Sequence, residues 1–296
     1  FRAGPAPDLV IQLGAPPTSG ALSAYLAGQA GLERWVATAH GWIDPDSFAG
    51  ELVVGAPAAV AVGLVERLAD RPRAPSPWQR RWQGAEELAQ RAIDEFLVGD
   101  LSEGAAVRVV GGALEPGATL FAGNSLAIRE VDLFCRHLDG PVLCQRGANG
   151  IDGLISGAAG AASTGGRVTL LLGDVSFLHD VGGLWAARLA GAALTVVVLQ
   201  NHGGRIFEDL PLGRSGAADA MGHFTTPHDL GLAPAASLYG LDYHRARTAG
   251  HLRAALAAAP ERERARLVEV ELPRVGLEPV RRRIIDRIAG ELGVER

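Results

Sequence analysis

Two stretches decide the fold. Val168-Thr169-Leu170-Leu171-Leu172 runs into Gly173-Asp174, and Leu194-Thr195-Val196-Val197-Val198-Leu199 runs into Gln200-Asn201-His202-Gly203-Gly204. Each is a short, almost wholly apolar run that stops at polar residues and glycine. A strand with no polar face is covered on both sides, as central strands of a parallel sheet are. The intervening segment has room for a helix, so the pair reads as strand–helix–strand with a right-handed crossover. Open parallel sheets place ligands beyond the carboxyl ends of their strands. Asn201 lies 27 positions beyond Asp174, and one crossover of that length brings both side chains to neighbouring strand ends.

Working outward, the same alternation covers the chain. Asp8 to Leu13, Trp35 to Ala39 and Glu51 to Val54 read as strands, with helices over Ala21 to Gly28 and Ala58 to Ala69. Arg71 to Pro77 holds three prolines and reads as a linker. Trp78 to Leu97 follows as an amphipathic helix with Trp82, Ala85, Ala89, Ile93 and Phe96 on one face. Ser102 reads as the N-cap of a helix ending near Ala113. Further strands are expected at Ala118 to Ala122, Pro141 to Cys144 and Arg266 to Leu272. The fold class is α/β, with two doubly wound parallel-sheet domains over residues 1–100 and 101–296.

Composition narrows the function classes. The 296 residues are 48% hydrophobic and 21% charged, with a net charge of −5, as in soluble globular proteins. Arg262 to Arg266 alternates with Glu and Ala, which suits a solvated face and not a nucleic-acid patch. Two cysteines without a CxxC pair exclude a disulfide framework and a structural zinc site, and fit a reducing compartment. No apolar run is long enough for a membrane span and no signal peptide is visible, so a cytoplasmic setting is expected. The chain begins at Phe1 and its one methionine is Met221, which suggests a missing amino-terminal part.

The strand ends carry the chemistry. A carboxylate (Asp174), an amide oxygen (Asn201) and a backbone carbonyl (Gly203) are hard ligands of the kind Mg²⁺ prefers, with phosphate oxygens completing its shell. Helix N-termini after these strands offer N–H groups to a diphosphate, and Ser176 adds a hydroxyl. Gly-Asp, a gap of this length and Asn-x-Gly-Gly at a second strand end together form the thiamine diphosphate (ThDP) signature. Read singly, each residue has a plainer role. Asp174 caps a helix, Arg129 and Arg146 pair with surface acids, Ile151 is core, and Asn124 and Ser125 are an N-cap pair. His179 and His202 read as structural or local hydrogen-bonding residues.

Five motifs occur in order: Asn124-Ser125-x-x-x-Arg129, Arg146-Gly147-Ala148-x-Gly150-Ile151-Asp152-Gly153, Gly173-Asp174-x-Ser176-Phe177-Leu178-His179-Asp180, Gly203-Gly204-x-Ile206-Phe207-x-x-Leu210-Pro211 and Phe224-x-Thr226-Pro227-His228. In this the chain closely resembles the 2-succinyl-5-enolpyruvyl-6-hydroxy-3-cyclohexene-1-carboxylate (SEPHCHC) synthases of menaquinone biosynthesis. The resemblance is densest from Leu101 to Leu230. It implies a central Rossmann-like (transhydrogenase-III-like) domain over 1–100 and a diphosphate- and Mg²⁺-binding domain over 101–296. It also implies decarboxylation of 2-oxoglutarate on ThDP and addition of the succinyl-semialdehyde unit to isochorismate.

Carried over by motif, Asp174, Asn201 and the Gly203 carbonyl ligate Mg²⁺, with Mn²⁺ as an alternative. Gly150, Ile151, Gly173, Ser176 and Ile206 contact the cofactor, Ile151 as the wedge that keeps it bent. Asn124, Ser125, Arg129, Arg146, Phe207 and Leu210 face the substrates, with Ile151, Arg129 and Arg146 closest to the chemistry. Arginine suits dianionic acids because it pairs bidentately with carboxylates.

This sequence departs from the family's pattern at Gln200, Gln145, Asn149 and Gly182, none of them a proposed ligand. The family's activating glutamate sits on a pyrimidine-binding domain that precedes the part seen here, and its sites form between subunits. The resemblance therefore implies a homodimer or tetramer, and a chain inactive by itself. Two rivals stand beside it, and a third, a nucleotide-binding oxidoreductase, is disfavoured by the missing GxGxxG. One is another ThDP carboligase, such as an acetolactate-synthase-like enzyme. The other is a non-catalytic cofactor-binding domain, which would be expected to lose Asp174 or Asn201.

Overall fold

The structure, a computed structural model, describes residues 6–29, 31–71, 74–214, 218–258 and 265–293. The chain divides into two compact units, Phe1–Glu87 and Leu88–Arg296. The first unit holds β1 (Leu9–Leu13), α1 (Gly20–Ala27), β2 (Glu33–Thr38), β3 (Glu51–Val54) and α2 (Pro57–Arg67). Its three strands form a parallel sheet in the order β1-β2-β3. The division falls inside α3 (Pro77–Phe96), which begins at the last residue of the expected linker. Pro72 and Arg73 of that linker, and 262–264 of the Arg-rich piece, lie outside the described residues.

The second unit continues with α4 (Glu103–Ala113), β4 (Thr119–Ala122), α5 (Leu126–Phe134), β5 (Val142–Leu143), α6 (Leu154–Ser163), β6 (Val168–Gly173), α7 (Asp174–His179), α8 (Gly183–Leu189) and β7 (Leu194–Gln200). After a 3₁₀ turn at Arg205–Asp209 come α9 (Pro211–Arg214), α10 (Ala218–Thr225), α11 (Ala233–Tyr239), β8 (Asp242–Ala246), α12 (Ala249–Ala257), β9 (Arg266–Glu271) and α13 (Glu278–Leu292). The six strands are all parallel, in the order β5-β4-β6-β7-β9-β8.

Pleating explains why the central strands are apolar throughout. Leu171, Val197, Leu199, Val268 and Val270 face one layer, built from α4, α5, α12 and α13. Leu170, Leu172, Val196, Val198 and Leu267 face the other, built from α6, α7, α8 and α11. Alternate residues of one strand thus enter two separate cores, and each fully buried leucine contributes roughly 1.5–3 kcal/mol. Ser102 caps α4 as expected, its hydroxyl accepting the Ala105 N–H at 3.3 Å.

The sheet departs from expectation at its edges. β5 is two exposed residues, shorter than Pro141 to Cys144. β8 (Asp-Tyr-His-Arg-Ala) has no counterpart among the expected strands, because an edge strand covered on one side needs no apolar run.

This topology positions the site. The chain leaves β4 for β5 on one side and returns to β6 on the other, so the connectivity reverses between β4 and β6. Gly173 of β6 stands opposite Leu199 of β7 in the register. Asp174 and Asn201 follow directly, and Asn124 and Ser125 follow β4.

Candidate functional site: a cation and diphosphate cradle

Asp174 opens α7 and is 1% exposed; Asn201 opens the turn after β7 and is 5% exposed. One small cavity of about 40 Å³ is lined by Asp174, Asn201, Gly203, Gly173, Ser176 and Ser125, together with Glu103, Glu130 and Arg205. That is room for an ion or a single water. A larger cavity of about 320 Å³ sits at the opposite ends of the strands, beside Val168, Leu194 and Arg266. Ligands of open parallel sheets bind beyond the carboxyl ends, so position outweighs size here.

Asp174 is held by its own turn. Its Oδ1 accepts the Val175 N–H at 2.6 Å and its Oδ2 accepts the Gly203 N–H at 3.1 Å. His228 brings Nε2 to 3.5 Å from the same Oδ2. Because His228 Nδ1 accepts the Leu230 N–H at 3.3 Å, the neutral ring carries its proton on Nε2, facing Asp174. Burial raises the Asp174 carboxyl above its ordinary range, and His228 and the backbone donors pull it back. A cation beside it would relieve the cost of keeping that charge buried.

The turn after β7 bends sharply. Arg205 N donates to the Gly203 carbonyl at 2.9 Å across Gly204 (φ −76°, ψ 70°), an inverse γ-turn that leaves the carbonyl one free lone pair. Gly203 has φ +148°, and a Cβ there would fall 2.6 Å from the Thr225 carbonyl, so only glycine fits. Ser125, His202 and Thr226 also adopt positive φ, at 68°, 64° and 42°. Such residues store about 1–3 kcal/mol each and gather at functional sites.

The donor set fits a hard divalent ion. Asp174 supplies a carboxylate, Gly203 a carbonyl, and Asn201 an Oδ1 that is buried with no hydrogen-bond partner. Among the described residues no group of three or more His, Cys, Asp or Glu side chains could hold a metal. A mixed set of carboxylate, amide and carbonyl oxygens is of the kind that can hold Mg²⁺ when phosphate oxygens complete the shell. Ser176, 3% exposed, lies in the first turn of α7 and lines the same cavity.

Apart from Ser125, the remaining sequence-selected residues do not line this cavity. Asn124, 1% exposed, spends both Nδ2 protons on the carbonyls of Gln145 (2.9 Å) and Gly150 (2.6 Å), tying the Arg146–Gly150 loop to β4. Its Oδ1 is buried and free. Ser125 holds the N-cap position of α5 but makes no capping hydrogen bond, so the N-cap-pair reading fails there. Arg129 is exposed and donates to the Ser125 carbonyl; burial and nearby Arg146 lower its pKa. Ile151 is half-buried just ahead of α6. Ile206 and Phe207 are half-buried on the 3₁₀ turn, where Phe207 packs on Phe224 with ring centroids 5.9 Å apart. Leu210 is 45% exposed. His202 hydrogen-bonds the His228 carbonyl at 3.2 Å, a local role as expected.

Three acids were given no role by the sequence reading. Asp180 Oδ2 accepts the first free N–H groups of α6, from Ile155 (2.8 Å) and Ser156 (2.9 Å), and so fixes the helix behind Ile151. Gly183 lets α8 approach this cap, since a Cβ there would meet Ser156 and Asp180 at 2.7–2.8 Å. Glu103 accepts from Asn201 Nδ2, and Glu130 of α5 lines the same cavity beside it with both oxygens unpartnered. Burial raises the pKa of both acids, and Glu130 stands well above the carboxylate range because Glu103 adds its repulsion. No spacing rule predicts these contacts; an acid opening a helix, as Glu103 does after Ser102, was the one available hint.

Residues 144–270 match the family of thiamine pyrophosphate enzymes' C-terminal TPP binding domains, and all three proposed metal ligands fall inside the match. The part of the six-stranded sheet within these residues thus has the fold of a thiamine pyrophosphate-binding domain. The chain is 47% identical over 287 residues to the SEPHCHC synthase of Sorangium cellulosum, an alignment covering 92% of this chain and 46% of that protein. It is 38% identical to the SEPHCHC synthase of Halobacterium salinarum and 34% to that of Geobacillus thermodenitrificans, each covering 97% of this chain and 49% of the relative. The chain resembles these synthases along nearly all of its own length, and it spans about half the length of the curated relatives it matches. No described helix is long and apolar enough to cross a membrane.

Proposed function

We propose that this chain supplies the Mg²⁺ and diphosphate half-site of a SEPHCHC synthase, which decarboxylates 2-oxoglutarate and joins the succinyl-semialdehyde unit to isochorismate in menaquinone biosynthesis. The observation that carries the reading is the pairing of Asp174 with the unpartnered Asn201 Oδ1 in one cavity at adjacent strand ends. Bound ThDP supplies the electron sink for decarboxylation; the protein binds, orients and excludes water. Asp174, Asn201 and the Gly203 carbonyl hold Mg²⁺, or Mn²⁺ in its place, against the diphosphate. Gly150, Gly173 and Ser176 border the cofactor, with Ile151 and Ile206 as its apolar contacts.

Arg129 and Arg146 carry adjacent positive charge suited to two dianionic acids. Asn124 and Ser125 shape that side of the pocket. Phe207 and Leu210 wall the pocket against water. The enzyme is read as a cytoplasmic homo-oligomer, dimer or tetramer. In this reading the 296-residue chain supplied alone binds the cofactor weakly and does not turn over.

Isothermal titration tests the site. ThDP should bind the chain only with Mg²⁺ or Mn²⁺, and Asp174→Asn should weaken that binding at least tenfold. Metal-independent binding, or an unaffected Asp174→Asn, refutes the cation site. A 2-oxoglutarate decarboxylation assay on the chain tests its inactivity, which normal turnover would overturn. A substrate screen of the longer enzyme, with isochorismate against pyruvate as acceptor, separates it from an acetolactate-synthase-like carboligase.

A further inference from the structure

We infer that Glu103 is a positioning residue, which turns the Asn201 amide so that its oxygen and not its nitrogen faces the cation. The inference rests on the cation site proposed above and adds a residue to it from a different element. Glu103 is the first residue of α4 and is 6% exposed, while Asn201 lies 98 positions away at the end of β7. A side-chain amide has two nearly isosteric orientations, and only one presents oxygen to a metal. Asn201 Nδ2 donates to Glu103 Oε1, and Asn201 Oδ1 is left buried without a protein partner. The reversed amide would set oxygen against a carboxylate oxygen, two acceptors with no proton between them. Glu103 therefore selects the ligating orientation before any ion arrives.

Glu130 stands behind Glu103. It is 1% exposed and packs from α5 beside Glu103, with both of its oxygens buried and unpartnered. Two buried acids side by side are costly to keep, and capping α4 does not require them, because the Ser102 hydroxyl already does so. Arg205, whose Nε donates to the Asn201 carbonyl at 3.2 Å, fixes the backbone of the same residue. Side chain and main chain of Asn201 are thus anchored from opposite directions. Supporting contacts of this kind govern the orientation of metal ligands.

The test is Mn²⁺ affinity in the presence of ThDP, read from the free-ion electron paramagnetic resonance signal. Glu103→Gln keeps the shape but gives Asn201 Oδ1 a donor to turn toward. Mn²⁺ affinity should fall roughly 10- to 100-fold, with the thermal midpoint of the variant recorded beside it. As a control, Glu115→Gln removes an exposed acid that pairs with Arg167 at the opposite ends of the strands, and should stay within about threefold of the parent. A folded Glu103→Gln variant that binds Mn²⁺ like the parent overturns the positioning role and leaves the cation site standing. A parent chain that takes up no Mn²⁺ with ThDP overturns the site itself and this inference with it.

A second measurement needs no variant at position 103. The chain has three asparagines, Asn124, Asn149 and Asn201. In ¹⁵N-asparagine-labelled protein the Asn201 side-chain amide, assigned by its loss in Asn201→Ala, should be protected from hydrogen exchange without metal. A freely exchanging Asn201 amide overturns the inference.

Discussion

Replacing Asp180 by alanine tests whether the loop beside the cofactor site is held by one remote carboxylate. In the folded chain Asp180 Oδ2 accepts from Ile155 N at 2.8 Å and Ser156 N at 2.9 Å, and Ser156 Oγ donates to the same carboxylate at 3.2–3.3 Å. Losing a helix-capping acceptor costs ~1 kcal/mol. Ser156 is exposed and its N–H can turn to water, but Ile155 is fully buried. An unsatisfied buried N–H costs a further ~1–3 kcal/mol. The sum is about 3 kcal/mol, and at roughly 3 °C per kcal/mol for a unit of this size the thermal midpoint should drop by about 9 °C.

Asp180→Asn keeps an acceptor oxygen and loses mainly the charge–dipole attraction to α6, about 0.3–1 kcal/mol, so it should drop by about a third as much or less. Differential scanning calorimetry gives both numbers. Because Ile151 lies just ahead of α6, the alanine variant should also bind Mg²⁺–ThDP more weakly. An Asp180→Ala midpoint within 2 °C of the parent would refute the reasoning.

Three further outcomes follow from individual contacts. Gly203→Ala should destabilise the chain by at least ~3 kcal/mol in urea unfolding, since it adds backbone strain to a 2.6 Å clash with the Thr225 carbonyl. Gly204→Ala has an ordinary φ and an ordinary 3.4 Å contact, and should cost within ~1 kcal/mol; equal costs would contradict the geometry. Tyr243 is raised above the usual phenol range by burial and by its 2.6 Å hydrogen bond to Glu269, so one of the three tyrosines should stay un-ionised at pH about 11 in an ultraviolet titration. The unfolded phenol ionises near pH 10 while the folded one keeps its proton, so stability falls as pH rises above about 10, a slope that Tyr243→Phe should remove. Burial pushes the Cys135 thiol up to about 11 whereas Cys144 is exposed, so Ellman's reagent should show one fast thiol and one roughly 100-fold slower. Cys144→Ser should remove the fast phase.

The parts legible in the sequence were those in which one residue's neighbours along the chain determine its fate. Val168–Gly173 and Leu194–Gln200 announce themselves because burial on both faces makes them almost wholly apolar. Asp174 and Asn201 stood out as the first polar groups beyond them. β8 stayed hidden because its Asp-Tyr-His-Arg pattern carries no apolar run. Glu103, Glu130 and Asp180 were illegible for a different reason: their partners are brought close by the sheet and not by spacing. The same holds for Asn124, whose motif position suggested a substrate contact while both of its amide protons close a loop.

The pairing of Gly173 with Leu199 sets what can be edited in this fold. Residues inserted between α7 and β7 lengthen a crossover and leave the two strand ends facing each other. One residue deleted within β6 advances the pleat by a single step and turns Asp174 to the opposite side of the sheet, away from Asn201. The spacing of the two ligands in space is thus counted in pleats, and loop length is free to vary between homologues or designed variants without moving them.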